Sequence, residues 1–246
     1  MNNSYRKILF LGTAQLINPY GAIKLNKSKN KKKVFKFLDY ALENGINKFD
    51  TAKSYNSEDI IGEFINSNKT SNIKVATKVP SLPKKRAIDK IEFIKQSLSS
   101  SQKKLKTNIH TLFLHDENDV PFFLKNISKI KKIKKEFGLT HLGFSLYALN
   151  NLDQINECAE ACAIQFPLNF ANDKIIKKEI NKKKINSLDL CINYAFSQKK
   201  TKYIIVGCEN AKQLKEILNV SVDSKIKNYD YYKKLFNIPE AEKINF

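Results

Sequence analysis

Apolar residues in this chain gather in short runs, and six of these runs end in a polar or ionisable residue: KFDTA, VATKV, FLHDE, GFSLY, IQFPLN and IVGCEN. Most are separated by a stretch long enough for a helix, so the pattern alternates strand and helix. It predicts strands at 8–15, 46–52, 73–79, 109–116, 140–147, 163–169 and 203–208. These runs show little polar alternation, which suits parallel strands covered on both faces. Helices are predicted near 29–44, 57–67, 87–104, 121–137, 149–160, 172–183, 187–198 and 210–219. Ser28, Ser57 and Asn210 stand where helix N-caps are expected, and Gly45 follows the first helix as a C-terminal glycine.

The alternation predicts an α/β fold, a (β/α)8 TIM-type barrel forming a single domain over residues 1–246. Seven strands are predicted, whereas a closed barrel of this class has eight. The gap lies between 169 and 203, where two helical stretches follow one another and the only apolar run, CINYAF, has helical flanks. The barrel is therefore expected to be incomplete or irregular around its seventh strand, with a seam that must be covered or paired. At the C-terminal ends of the strands, Asp50, Lys78, His115, Ser145, Gln165 and Glu209 would gather on one rim. Barrel enzymes carry their chemistry at that rim.

Composition changes this picture little. A hydrophobic content of 42% supports a sizeable core. The formal charge of +20 invites a nucleic-acid reading, but Arg6 and Arg86 are the only arginines among 44 basic residues. Phosphate and base recognition leans on the planar arginine fork. The lysines instead fall on expected solvent faces of helices, as in SKIKKIKKEF, so no specific nucleic-acid partner is expected. No apolar run has membrane-spanning length and MNNSYRKILFLGTAQ lacks a signal-peptide core, so the expected location is cytoplasmic, without membrane association. Cys158, Cys162, Cys191 and Cys208 have no spacing that completes a four-ligand metal site, and they are expected to be reduced thiols. His110 and His141 are expected to be structural.

The segment GINKFDTAKSYNSEDIIGEFI (45–65) resembles a signature of the aldo-keto reductases, with Asp50, Tyr55, Glu58 and Gly62 in register. In family order follow the counterparts of other strands: LGTAQLINPYGAI, VATKV, LFLHDEND, HLGFSLY, IQFPLN and IIVGCENAKQLKEI. The resemblance covers most of 8–218. It implies a nicotinamide-dependent oxidoreductase acting on a small-molecule carbonyl, an aldehyde or ketone, with a catalytic tetrad of Asp50, Tyr55, Lys78 and His115. It further implies cofactor contacts from Gly12, Thr13, Ser145, Gln165, Gly207, Glu209, Gln213 and Glu216. The opening LGTAQ…YG resembles a bacterial branch associated with sugar metabolism, which points to a sugar-derived substrate.

Carbonyl reduction needs a hydride donor at carbon and a proton donor for the developing alkoxide. A tyrosine hydroxyl, with an ordinary pKa of about 10, becomes a better acid when a lysine ammonium stabilises the phenolate left behind. Asp50 can hold Lys78, and His115 can donate to the substrate oxygen. Two departures from the family stand out. Leu146 occupies the position after Ser145 where the family carries asparagine, and nothing after Asn169 matches the seventh strand and its loop. Cys208 and Glu209 stand where NADP-selecting relatives often carry Ser, Lys or Arg, so the cofactor is expected to be NADP or NAD. The departures favour the alternative of a non-catalytic barrel that has lost productive cofactor binding. If the site is competent, a mainly helical 170–202 segment leaves the cleft open and cofactor binding weak and salt-dependent, with Lys177 or Lys178 attracting the pyrophosphate.

Overall fold

A computed structural model describes residues 3–17, 30–68, 72–85, 88–147, 155, 162–166, 187–197 and 201–220. The predicted helix at 172–183, nearly all of that at 149–160, and Ser28, Lys177 and Lys178 lie outside the described residues. All seven predicted strands form: β1 Leu9–Gly12, β2 Lys48–Asp50, β3 Lys74–Val79, β4 Ile109–Leu114, β5 His141–Ser145, β6 Cys162–Gln165 and β7 Ile204–Gly207. Most stop short of their predicted C-terminal ends because the chain turns there. The amide of Leu16, for example, returns to the carbonyl of Thr13 at 3.1 Å and closes a turn just after β1.

The helices are α1 Lys31–Glu43, α2 Glu58–Asn68, α3 Lys90–Leu105, α4 Val120–Lys125, α5 Ile127–Glu136, α6 Ser187–Ser197 and α7 Ala211–Leu218. The single helix expected at 121–137 is broken at Asn126, whose Nδ2 donates to the Phe122 carbonyl at 2.9 Å and whose backbone leaves the helical region at φ −111°. An asparagine side chain that bonds nearby backbone competes with the helical ladder. Asn30 caps α1, its Oδ1 accepting from the Lys32 amide at 2.8 Å. Asn210 caps α7 as predicted, accepting from the Gln213 amide at 3.0 Å. Gly45, at φ +83°, ends α1 in the left-handed region that suits glycine. Among the described residues, no helix is long and apolar enough to cross a membrane.

The strands form one seven-stranded sheet in the order β6-β5-β4-β3-β2-β1-β7, with β1 through β6 pairing in parallel. This is the strand order of a (β/α)8 barrel with one strand skipped between β6 and β7. The described part of the skipped interval contains helix α6 and no strand. The fold is thus an incomplete (β/α)8 barrel.

By its contacts the chain divides into two compact units. The first holds Phe10–Pro167 with Ile205–Glu209. Its sheet is curled. Phe10, Ala76 and Phe113, from β1, β3 and β4, form one apolar cluster, against which Ala163 and Ile205 from the two end strands also pack. Helices α2 and α3 lie close outside it, and Gly62 explains how close. A β-carbon at Gly62 would sit 1.8 Å from the carbonyl oxygen of Lys104. The second unit comprises Met1–Leu9, Leu168–Ile204 and Asn210–Phe246. In it, Tyr5 of a short 3-10 helix, Asn3–Ile8, donates to the Leu218 carbonyl and meets the Phe196 ring edge-on at 5.5 Å.

The contact at Gly62 is with backbone, which cannot rotate away. Gly62→Ala is therefore expected to destabilise the fold by about 1–3 kcal/mol or more by overpacking, against the small gain alanine brings to a helix. Urea unfolding checks this; a variant as stable as the parent contradicts the close α2–α3 approach.

Candidate active site

The site is built where β2, β3, β4 and β6 end. Lys78 is the fifth residue of β3, its side chain inaccessible to solvent, and Asp50 is the last residue of β2. A buried ammonium needs both charge compensation and hydrogen-bond acceptors. Both are present. Lys78 Nζ donates to Asp50 Oδ2 at 2.8 Å, to Asp50 Oδ1 at 3.0 Å and to the Thr51 carbonyl at 2.9 Å.

The chain after β2 makes a single 3-10 turn, Lys53–Tyr55, closed by the left-handed Asn56 at φ +56°. This turn folds Tyr55 back into the protein, where it is 8% exposed. Lys78 Nζ lies 5.0 Å from the centroid of the Tyr55 ring. His115, which follows β4, meets the same ring edge-on with centroids 6.0 Å apart. Asp50, Lys78, Tyr55 and His115 thus converge. Burial, and then the neighbouring Lys78 charge, hold the His115 imidazole below its ordinary value, with Asp116 opposing. Burial pushes the Asp50 carboxyl above the usual carboxylate range, against the opposing pull of Lys78 and of a hydrogen bond from Gln165.

That bond from Gln165 is informative twice over. Asp50 on β2 and Gln165 on β6 stand four places apart in the sheet, about 19 Å in a flat sheet. Their contact requires the curl. It also engages the amide nitrogen of Gln165, while its Oε1 is buried with no partner among the described residues. Ser145, 6% exposed, is the register neighbour of Gln165 across β5 and β6. Gly12 pairs with Asp50 in register. A β-carbon on Gly207 would meet nothing nearer than Gln15 Oε1 at 3.7 Å, so the backbone there is open to approach.

Other nominated residues have different settings. Thr13 is fully buried, and its amide and hydroxyl both donate to the Asp50 carbonyl at 2.9 Å. Leu146, 1% exposed, belongs to the core, and its amide donates to the Gln165 carbonyl at 2.8 Å. Glu209 follows β7 in the first compact unit, and Gln213 and Glu216 lie on α7 in the second. Cys191 and Cys208 are free thiols, and no group of metal-ligating side chains occurs among the described residues.

Sequence reasoning missed the buried polar layer beneath the pair. Ser57 Oγ lies 2.9 Å from Thr51 Oγ1 and 3.1 Å from Thr13 Oγ1, while Thr77 Oγ1 donates to Glu58 Oε1 at 2.7 Å. Ser57 thus directs its hydroxyl to Thr13 and Thr51. Together these bonds fix the backbone at Asp50 and Thr51, the two residues that hold Lys78.

A model of the Aldo/keto reductase family matches residues 9–183. Among solved structures, the chain is similar to an aldo-keto reductase from Bacillus halodurans in its holo form, with 17% identity, a TM-score of 0.69, and coverage of 93% of this chain and 92% of that one. It is likewise similar to an aldo/keto reductase from Brucella melitensis, with 16% identity, a TM-score of 0.62, and coverage of 92% and 94%. Both likenesses are in fold. No curated protein matches the chain.

Because the folded His115 holds its proton less tightly than the ordinary value of 6.5, the unfolded chain binds more protons as pH falls through that value. The stability linked to neutral His115 is then complete above about 6.5 and lost on acidification. His115→Asn is expected to flatten the slope of unfolding free energy against pH below neutrality. An unchanged slope in denaturant titrations across that range contradicts the assignment.

Proposed function

The chain belongs to the aldo/keto reductase family, a family of oxidoreductases, and we propose that it reduces an aldehyde or ketone to an alcohol with Tyr55 as the proton donor. The observation that carries this reading is the Lys78 ammonium, inaccessible to solvent, clamped by Asp50 and placed 5.0 Å from the Tyr55 ring centroid. A buried cation beside a phenol is poorly explained by packing, since burying the charge is unfavourable. It is well explained by a phenolate that must form transiently next to it.

In this reading the substrate oxygen lies against Tyr55 and His115. Neutral His115 donates a hydrogen bond that fixes the carbonyl and strengthens as charge develops on oxygen. Tyr55 transfers its proton to the forming alkoxide. Lys78 stabilises the phenolate left behind, and Asp50 keeps Lys78 from turning away. Gln165 and the Thr13–Ser57–Thr51 hydroxyls keep Asp50 and the Thr51 carbonyl in place.

The residues present fit a nicotinamide cofactor. The unpaired, buried Oε1 of Gln165 is an acceptor suited to a carboxamide N–H, with Ser145 beside it in register. The open backbone at Gly207 would let a phosphate-bearing chain come close. When bound, NADP or NAD supplies the hydride. Gly12 would flank it, and Glu209 would serve its adenosine end. With Leu146 in the core, Ser145 and Gln165 are the described residues that would hold the carboxamide. A sugar-derived carbonyl suits the polar rim, and a cytoplasmic setting without membrane association is part of this reading.

Tyr55→Phe is expected to lower carbonyl reduction by about 10²- to 10⁴-fold, the usual contribution of a positioned general acid, while leaving the cofactor dissociation constant essentially unchanged. Steady-state kinetics on a panel of aldehydes with a parallel fluorescence titration checks both. Full turnover by the variant moves the proton donor elsewhere, with His115 next in line.

A further inference from the structure

A second group of ionisable side chains stands at the opposite ends of the same strands. Lys48 opens β2 and Lys74 opens β3, and the two are register partners. His141 opens β5, and its ring meets that of His110 edge-on with centroids 5.2 Å apart. Side chains alternate along a strand, so Lys48 shares the face of Asp50 and Lys74 the face of Lys78. That face is the interior of the curl, because Asp50 and Lys78 bond to each other there. Lys74 and Lys78 stand four positions apart on β3, about 13 Å. Ala76 lies between them on β3, in one apolar cluster with Phe10 and Phe113. The lower group is therefore no extension of the catalytic rim.

All four side chains are half-buried. Like charges directly opposite each other destabilise a sheet, yet Lys48 and Lys74 are so placed. Lys74 takes part in none of the ion pairs formed among the described residues. Burial, and then the neighbouring His141, Lys74 and Lys48, push the His110 pKa down to about 4. Burial and then Lys74 likewise lower that of Lys48. Register and ring contact bring four bases together at these strand ends, which suits a ligand that supplies negative charge.

We propose that the N-terminal ends of β2 to β5 form a binding site for a phosphate-type oxyanion, with Lys48 and Lys74 supplying charge and the imidazoles of His110 and His141 supplying N–H donors. A tetrahedral anion offers several acceptor oxygens, enough for groups that approach from four neighbouring strands. The site takes either free inorganic phosphate or the phosphoryl group of a small ligand. Its occupation favours protonated imidazole.

The chain has three histidines, so imidazole proton resonances report separately on the two rims, His110 and His141 on one and His115 on the other. Inorganic phosphate titrated into the full chain at constant ionic strength is expected to shift the His110 and His141 signals along one saturating curve and leave His115 in place. The His110 titration midpoint is expected to rise by about one unit or more, a tenfold preference of the anion for the protonated ring. Lys74→Gln is expected to weaken binding by about tenfold, the loss of one charged hydrogen bond. Lys48→Gln gives the same comparison from the neighbouring strand should the first variant fail to fold. Shifts that grow without saturating, or that chloride reproduces, overturn the site. So does saturation seen at His115 alone, which places the phosphate at the catalytic rim.

Discussion

Everything at the candidate active-site rim depends on one buried ion pair. Lys78 has no solvent contact, and its ammonium is held by two hydrogen bonds to Asp50 and one to the Thr51 carbonyl. Removing one partner of such a pair typically costs about 3–5 kcal/mol, whereas replacing both by apolar groups is often neutral. A chain selected for stability alone has little use for the pair. Its presence, with a phenol ring set against the ammonium, makes sense as chemistry held ready.

The curl of the sheet makes the rim a site. Asp50 and Gln165 come from strands that a flat sheet would keep apart, and the bond between them links the buried carboxylate to the proposed cofactor side. One strand of the full barrel is skipped without losing this link, because both end strands still close on the same apolar cluster through Ala163 and Ile205. The interior is thus layered, with polar groups at both ends and a small apolar plug between them.

Much of this was legible in the sequence. Asp50 and Lys78 end apolar runs, where a parallel sheet places side chains at one rim, and the strand positions followed from the same runs. The rest needed three dimensions. Ser57 resembles a helix cap by position, but its hydroxyl is claimed by Thr13 and Thr51, a choice that no local periodicity encodes. The Gln165–Asp50 bond depends on curvature between distant strands. The break at Asn126 is a local competition that the apolar spacing of 121–137 hides. Lys48, Lys74, His110 and His141 look unremarkable one by one, and only strand register assembles them into a group of bases. Leu146 departs from the family at the rim but serves the core, a distinction visible only from its burial.

The central claim is that the rim organised by Asp50 and Lys78 accepts a nicotinamide cofactor through groups already in place. Titration of the purified chain with NADPH and with NADH, followed by fluorescence, tests it most directly. The account predicts saturable binding of at least one of them, weaker and more salt-sensitive than in a relative that retains the seventh strand. Absence of saturable binding by both contradicts it and leaves a barrel that keeps the family's buried pair without its reaction.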